Sequence, residues 1–232
     1  MIFTKVQDSQ TKQRKPIRAP MQNGEIAHLF PTPLYIKENC VDLSLTTCLQ
    51  DPENLPPHIM IDNWGHVSKN NYYLNQDKCK ALKEKLTAYV NDMANNVLGF
   101  SGEFAITQSW ISTKQPYQSH QLHTHPNSII SGVFYYDNPE ETSSITFVKP
   151  NYTSAIYSLK PIRNDENNIF TADEMHIKVS NNMLLLFPSY LQHTVSINES
   201  QVNRYSLAFN AMPKYQLGML NDLTELKMPE FE

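Results

Sequence analysis

Glycine is scarce in this chain, six in 232 residues, and none of it forms a cluster that could cradle a phosphate, so nucleotide-binding loops of the Gly-rich kind are excluded. Cysteine is almost as rare: Cys40, Cys48 and Cys79 are an odd set without Cys-x-x-Cys spacing, which argues against a disulfide framework and a zinc ribbon and for free, mostly buried thiols. No apolar run approaches the roughly 20 residues needed to span a bilayer, and the first residues lack the apolar stretch of a secretory signal. The expectation is a cytoplasmic protein without a membrane partner. Positive charge is also short. The net charge is -4 and the pI near 6.1, so a concentrated basic face for nucleic acid is missing apart from Lys5, Lys12, Arg14, Lys15 and Arg18 near the start.

What is present suits one β-rich domain. The chain is 40% hydrophobic, enough to bury a full core at this length. Residues 1–24 are polar and basic without apolar periodicity and read as an arm. Residues 25–232 read as a single domain, with a strand and helix region at 25–100, a β core at 101–213 and an extension at 214–232. The run Ile26 to Ile36 contains two prolines, which fits an edge strand. Residues 50–58, with Pro52, Pro56 and Pro57, form a connector.

The spacing of Leu82, Leu86, Tyr89, Val90, Met93 and Val97 predicts an amphipathic helix over 76–98, ended by Gly99 and packed on the sheet. Beyond Gly99, short apolar or alternating runs predict strands near 104–111, 129–136, 144–149, 153–159, 175–179, 183–187, 193–197 and 204–210. Asn181-Asn182 provides a turn between two of them. Eight short strands without a long helical pattern among them indicate a sandwich, jelly roll or barrel.

Three of the eight histidines fall within His120-Gln-Leu-His123-Thr-His125. In a strand, residues two apart share a side, so His123 and His125 can point at one centre while His120 points away or lies in a loop. A third ligand must come from elsewhere, and His193 emerges at the end of the apolar run Leu-Leu-Leu-Phe-Pro-Ser-Tyr-Leu-Gln-His. Taken alone, the pair fits a polar strand surface equally well, and His193 fits a hydrogen-bonded structural role. Shortly beyond it, Arg204-Tyr205-Ser206 heads another apolar strand, and Arg204 is one of only four arginines. Arg204 and Ser206 share a face, so guanidinium and hydroxyl together can grip a carboxylate.

A His-x-His pair, a distal histidine and a following Arg-x-Ser resemble the iron(II)/2-oxoglutarate-dependent dioxygenases, whose usual pattern is His-x-Asp/Glu, distal His and Arg-x-Ser. The segments His-Thr-His-Pro-Asn-Ser-Ile-Ile-Ser-Gly-Val-Phe-Tyr-Tyr, Leu-Leu-Phe-Pro-Ser-Tyr-Leu-Gln-His and Arg-Tyr-Ser-Leu-Ala-Phe-Asn are most similar to a small group of such oxygenases from large tailed phages and bacteria. The resemblance spans about residues 26 to 213. It implies a mainly β fold with helical additions, a double-stranded β-helix of the jelly-roll or cupin-like kind. It also implies His123, His125 and His193 as ligands of Fe(II), and Arg204 with Ser206 as the clamp on the distal carboxylate of 2-oxoglutarate. Tyr136 resembles a strand tyrosine that assists that clamp in the prolyl hydroxylase branch, while Trp110 and Asn127 are expected to be structural.

One departure stands out. His125 occupies the position of the usual carboxylate, and no Asp or Glu lies between 104 and 136 to replace it; Asn127 offers an alternative oxygen ligand, although an amide is a poor donor. A neutral ligand set should hold iron less tightly in the absence of 2-oxoglutarate. The partners implied are dioxygen and an unidentified substrate: a protein side chain, a small metabolite or a nucleobase. A homo-oligomer stays open. Two rival readings remain: a three-histidine cupin-type dioxygenase that ignores 2-oxoglutarate, and a non-catalytic jelly-roll binding or virion protein.

Overall fold

Valine, isoleucine and aromatic residues at alternating positions shape most of the chain after Gly99, and alternation of this kind leaves one strand face for each of two cores. The computed structural model describes residues 30–49, 65–138, 144–150 and 172–228. The polar arm, the connector at 50–58 and the strand expected at 153–159 lie outside the described residues.

The principal sheet has six strands, named here in chain order: β1 (Tyr35–Lys37), β2 (His66–Val67), β3 (Phe104–Lys114), β5 (Ile130–Asp137), β8 (Met183–Pro188) and β10 (Arg204–Pro213). Their spatial order is β1-β8-β5-β10-β3-β2, with every neighbouring pair antiparallel. Proline-flanked β1 sits on the edge, where a strand that cannot donate everywhere is tolerated. The second sheet, in the order β4-β9-β6-β7, is built from β4 (His120–His123), β6 (Ser144–Val148), β7 (Glu174–Lys178) and β9 (His193–Val195). A short hairpin of β11 (Gln216–Leu217) and β12 (Leu226–Lys227) follows. This mainly antiparallel architecture of two sheets is a double-stranded β-helix.

The two faces of β10 show why. Leu207, Phe209 and Ala211 join Ile111, Phe134, Leu184 and Leu186 in one buried cluster, which also contains Leu82, Leu86 and Val90. Those last three lie on the single α-helix of the described residues, α1 (Lys80–Asp92). Ala208, on the opposite face of β10, belongs to a second cluster with Val133, Tyr135, Leu185 and Phe187 from the principal sheet and Ile145 and Phe147 from the second. The second cluster therefore fills the space between the sheets. Gly132 pairs with Phe209, and a Cβ at that position would collide with the Phe209 ring, so the residue with no side chain is required there.

The helical segment expected over 76–98 is regular α-helix only in its middle. Short 3-10 turns at Tyr73–Asn75 and Asp77–Cys79 lead into α1, and a π turn at Met93–Val97 ends it, letting the adjacent Met93 and Ala94 both be fully buried. Gly99 follows with φ +71°, the left-handed conformation that terminates helices. Asn182 takes φ +58° in the turn before β8, and its amide also holds Val41 through bonds to both backbone groups, 3.1 Å to N–H and 2.8 Å to C=O. All three cysteines are free and buried.

Candidate metal centre and anion pocket

Three imidazoles converge where the second sheet meets the loop after β4. His123 ends β4, His125 lies two residues beyond, and His193 opens β9 directly opposite His123 in the ladder. One ring nitrogen from each lies within 4.8 Å of the others. The loop that carries His125 is tied to the β8–β9 connection, because the His125 backbone N–H donates to Ser189 C=O at 3.0 Å. Trp110 flanks the His125 ring at 5.6 Å between centroids, and Phe187 and Phe147 flank His193 at 4.8 and 5.9 Å.

The hydrogen bonds fix which nitrogen faces inward. His123 Nδ1 lies 2.8 Å from Gln121 C=O and His193 Nδ1 lies 3.0 Å from Leu191 C=O; a carbonyl only accepts, so each Nδ1 carries the proton. His125 Nδ1 donates to Asn210 Oδ1 at 2.7 Å, and the Asn210 amide is oriented by its Nδ2, which donates to Gln108 Oε1 at 3.4 Å. All three Nε2 atoms are thus left as bare lone pairs. The Nε2 atoms of His123 and His125 lie 3.3 Å apart with no proton between them, an arrangement that is repulsive until a cation joins it. That separation suits two ligands about 2.1 Å from one ion at an angle of roughly 100°.

Burial keeps the rings neutral. Desolvation pushes His193 down to about 3, with the neighbouring His123 adding to the effect, and pushes His125 down to about 4 against the opposing bond to Asn210. His123 is lowered for the same reason. Neutral imidazoles with Nε2 lone pairs directed to one point are what a divalent transition metal requires.

On the same inner face of the principal sheet lies a second polar site. Arg204 is 3% exposed, and its Nε and Nη1 have no hydrogen-bond partner. No ion pair to Arg204 exists among the described residues. Ser206, two residues on, shares its face and is also buried, and Tyr135 is the cross-strand neighbour of Ser206. Burial without a counter-ion depresses the guanidinium, which nevertheless stays charged, and uncompensated buried charge implies an anion.

Two of the sequence expectations meet a different geometry. Tyr136 does not lie on the Arg204 face: it packs against Phe134 and Tyr205 on the helix side of the sheet, with ring centroids 6.3 Å away in each case. Tyr135, its neighbour in the Tyr-Tyr pair, is the residue facing inward, 1% exposed, with burial pushing its phenol up to about 12. The His120 ring does not turn away from the cluster either. It stands 4.2 Å from the His123 ring, because a bulge in β4 spaces His120 and His123 three positions apart where their β9 partners, Val195 and His193, are two apart, and so cancels the alternation. Asn127 is exposed at φ +58° in the turn after His125. Asn210, which orients His125, was not foreseen, although its even spacing from Arg204 and Ser206 along the strand places it on their face.

Residues 108–210 match the model of a family described as "Putative 2OG-Fe(II) oxygenase". No curated protein sequence matches the chain. Among solved structures, an oxidoreductase of the 2OG-Fe(II) oxygenase family from Burkholderia pseudomallei is similar in fold at a TM-score of 0.52, with 14% identity over 77% of this chain and 83% of its own. A prolyl-4-hydroxylase from Pseudomonas putida gives a TM-score of 0.52 at 13% identity, covering 77% of this chain and 92% of its own. HygX from Streptomyces hygroscopicus, solved with nickel and 2-oxoglutarate bound, gives 0.54 at 12% identity, covering 79% of this chain and 84% of its own. The matched span contains all three histidines and Arg204, and the solved structures share the double-stranded β-helix fold.

Proposed function

We propose that this protein is an Fe(II)- and 2-oxoglutarate-dependent dioxygenase acting as a hydroxylase, with His123, His125 and His193 as the metal ligands. The observation that carries the reading is the pairing of three histidines whose ring nitrogens converge within 4.8 Å with a buried guanidinium whose Nε and Nη1 lack hydrogen-bond partners. One site calls for a cation and the other for an anion, and a metal chelated by a 2-oxo acid with a second carboxylate at its far end supplies both. Ferrous iron with 2-oxoglutarate and dioxygen supplies the oxidising chemistry, converting the co-substrate to succinate and carbon dioxide while one oxygen atom enters the substrate.

The residues of the chain bind, orient and exclude water. Arg204 and Ser206 hold the distal carboxylate, which fixes the position of the other end of the co-substrate. Tyr135 takes the assisting role beside them, since its phenol keeps its proton and can donate it to a carboxylate oxygen. Phe147, Phe187 and Trp110 wall the histidines with apolar surface, which keeps water from an oxidising centre. With His125 in place of a carboxylate the protein contributes no negative charge to the metal, so the dianionic co-substrate neutralises it. The substrate is a protein side chain, a small metabolite or a nucleobase.

Two measurements test the reading. Anaerobic addition of 2-oxoglutarate to the ferrous protein should develop the weak visible charge-transfer band of chelation. Incubation with ferrous iron, ascorbate and 2-oxoglutarate in air should release succinate. A protein that binds iron but shows neither response is a three-histidine enzyme that ignores 2-oxoglutarate, and the proposal fails.

A further inference from the structure

We propose that Lys114 is a second cationic contact for the anion held by Arg204, so that the distal carboxylate of 2-oxoglutarate lies between an ammonium and a guanidinium. The inference rests on the co-substrate assignment above. Lys114 ends β3 and Arg204 begins β10, and the two are direct cross-strand partners. Lys114 is 2% exposed and Arg204 is 3% exposed. Neither forms an ion pair, and among the described residues the only salt bridges are His176 with Glu174 and Lys214 with Glu103. Like charges directly opposite each other on one sheet face are destabilising, and burial away from water magnifies that repulsion.

The fold nonetheless builds the pair deliberately. Lys114 Nζ donates to Ser112 Oγ at 3.0 Å, which uses one of its three donors and leaves two. The Lys114 side chain also packs beside Gly65, whose φ of +84° and close approach to the Thr113 carbonyl both require glycine; a Cβ there would stand 3.1 Å from Lys114 Cδ and Nζ. Desolvation, reinforced by Arg204, lowers the Lys114 ammonium to about 7, which an anion between the two groups would reverse. A carboxylate presents two oxygens, and the two cations approach it from adjacent strands. Ser206 and Tyr135 then close the pocket on the β5 side.

The test uses the full chain loaded with ferrous iron under anaerobic conditions, with 2-oxoglutarate as the titrant and the visible band as the readout. Lys114→Met should weaken 2-oxoglutarate binding by roughly 10-fold or more, the usual loss for a charged hydrogen bond, while iron affinity stays at the parent value. Without co-substrate the same variant should melt no lower than the parent, since it removes an uncompensated buried charge. A lysine that merely supported the fold would give the reverse pattern. Lys114→Arg, which retains the charge, should recover most of the affinity. If Lys114→Met does not fold, Lys114→Gln carries the same comparison, because it keeps a donor for Ser112 and loses only the charge. Equal 2-oxoglutarate affinity in the parent and the uncharged variant overturns the role of Lys114 alone. Absence of 2-oxoglutarate binding in the parent sinks the co-substrate assignment and this inference with it.

Discussion

Asn210 Oδ1 takes the Nδ1 proton of His125 at 2.7 Å and receives the hydroxyl of Ser131 at 3.1 Å, so a single amide oxygen sets both the tautomer and the plane of that imidazole. The tautomer matters here more than in a site with a carboxylate ligand, because His125 in its other protonation form offers the metal a hydrogen. Asn210→Leu removes the acceptor at similar volume and should lower metal affinity about 10- to 100-fold, the usual effect of losing a histidine's orienting partner. Asn210→Asp, which keeps an acceptor, should lose much less. Competition titration with a chelator distinguishes the two variants, and equal losses would show that only packing at 210 matters.

The metal and the co-substrate are held by separate groups, so they should separate on mutation. His193→Ala removes a ligand whose ring is buried between Phe147 and Phe187, and should lose both iron binding and 2-oxoglutarate turnover. Arg204→Ala should abolish 2-oxoglutarate-dependent succinate release while iron occupancy is preserved. Iron content by elemental analysis, measured beside succinate release, checks both. Iron occupancy in His193→Ala equal to the parent's would remove His193 from the ligand set.

Alternation read from sequence gave the strands of the core and set Arg204 and Ser206 on one face, because β10 is long enough for period-two patterning to be unambiguous. It failed where a single residue of slippage decides the face. Tyr135 and Tyr136 are adjacent aromatic residues in an apolar run, and nothing local indicates which one faces the guanidinium; the register shift between Tyr205 and Ser206 against β5 settles it only in three dimensions. The strand β4 was legible only as a place for histidines, since His-Gln-Leu-His has no β-forming pattern, and its bulge depends on pairing with β9, which lies far along the chain. Lys114 and Asn210 were hidden for another reason: a lysine or asparagine in a strand normally faces water, and only the second sheet covering this face buries them.

That face assignment predicts opposite behaviour for two neighbouring tyrosines. Tyr135→Phe removes a hydroxyl beside Arg204 and should raise the KM for 2-oxoglutarate several-fold while leaving thermal stability nearly unchanged. Tyr136→Phe alters a ring packed on the helix side and should leave that KM at the parent value. Steady-state succinate release at varied 2-oxoglutarate distinguishes them. A KM effect at Tyr136 with none at Tyr135 would reverse the assignment.

The depressed histidines also fix the sign of the pH response of the metal-free protein. His193 and His125 have folded values of about 3 and about 4, below the ordinary 6.5, so between those limits the unfolded chain binds more protons than the folded one. Their contribution is fully present above pH 6.5 and is lost as the pH falls toward the folded values. Each histidine removes up to about 1.4 kcal/mol per pH unit across that window, so melting temperature should drop clearly between pH 7 and pH 5. Replacing His193 by leucine should flatten the decline, because that residue no longer has a proton to take up on unfolding. Bound metal holds the Nε2 lone pairs against protons and should shift the whole decline to lower pH. Thermal denaturation of metal-free and zinc-loaded protein from pH 7 to pH 5 measures both effects, and a metal-free protein equally stable across that range would mean that the three rings are solvated rather than buried.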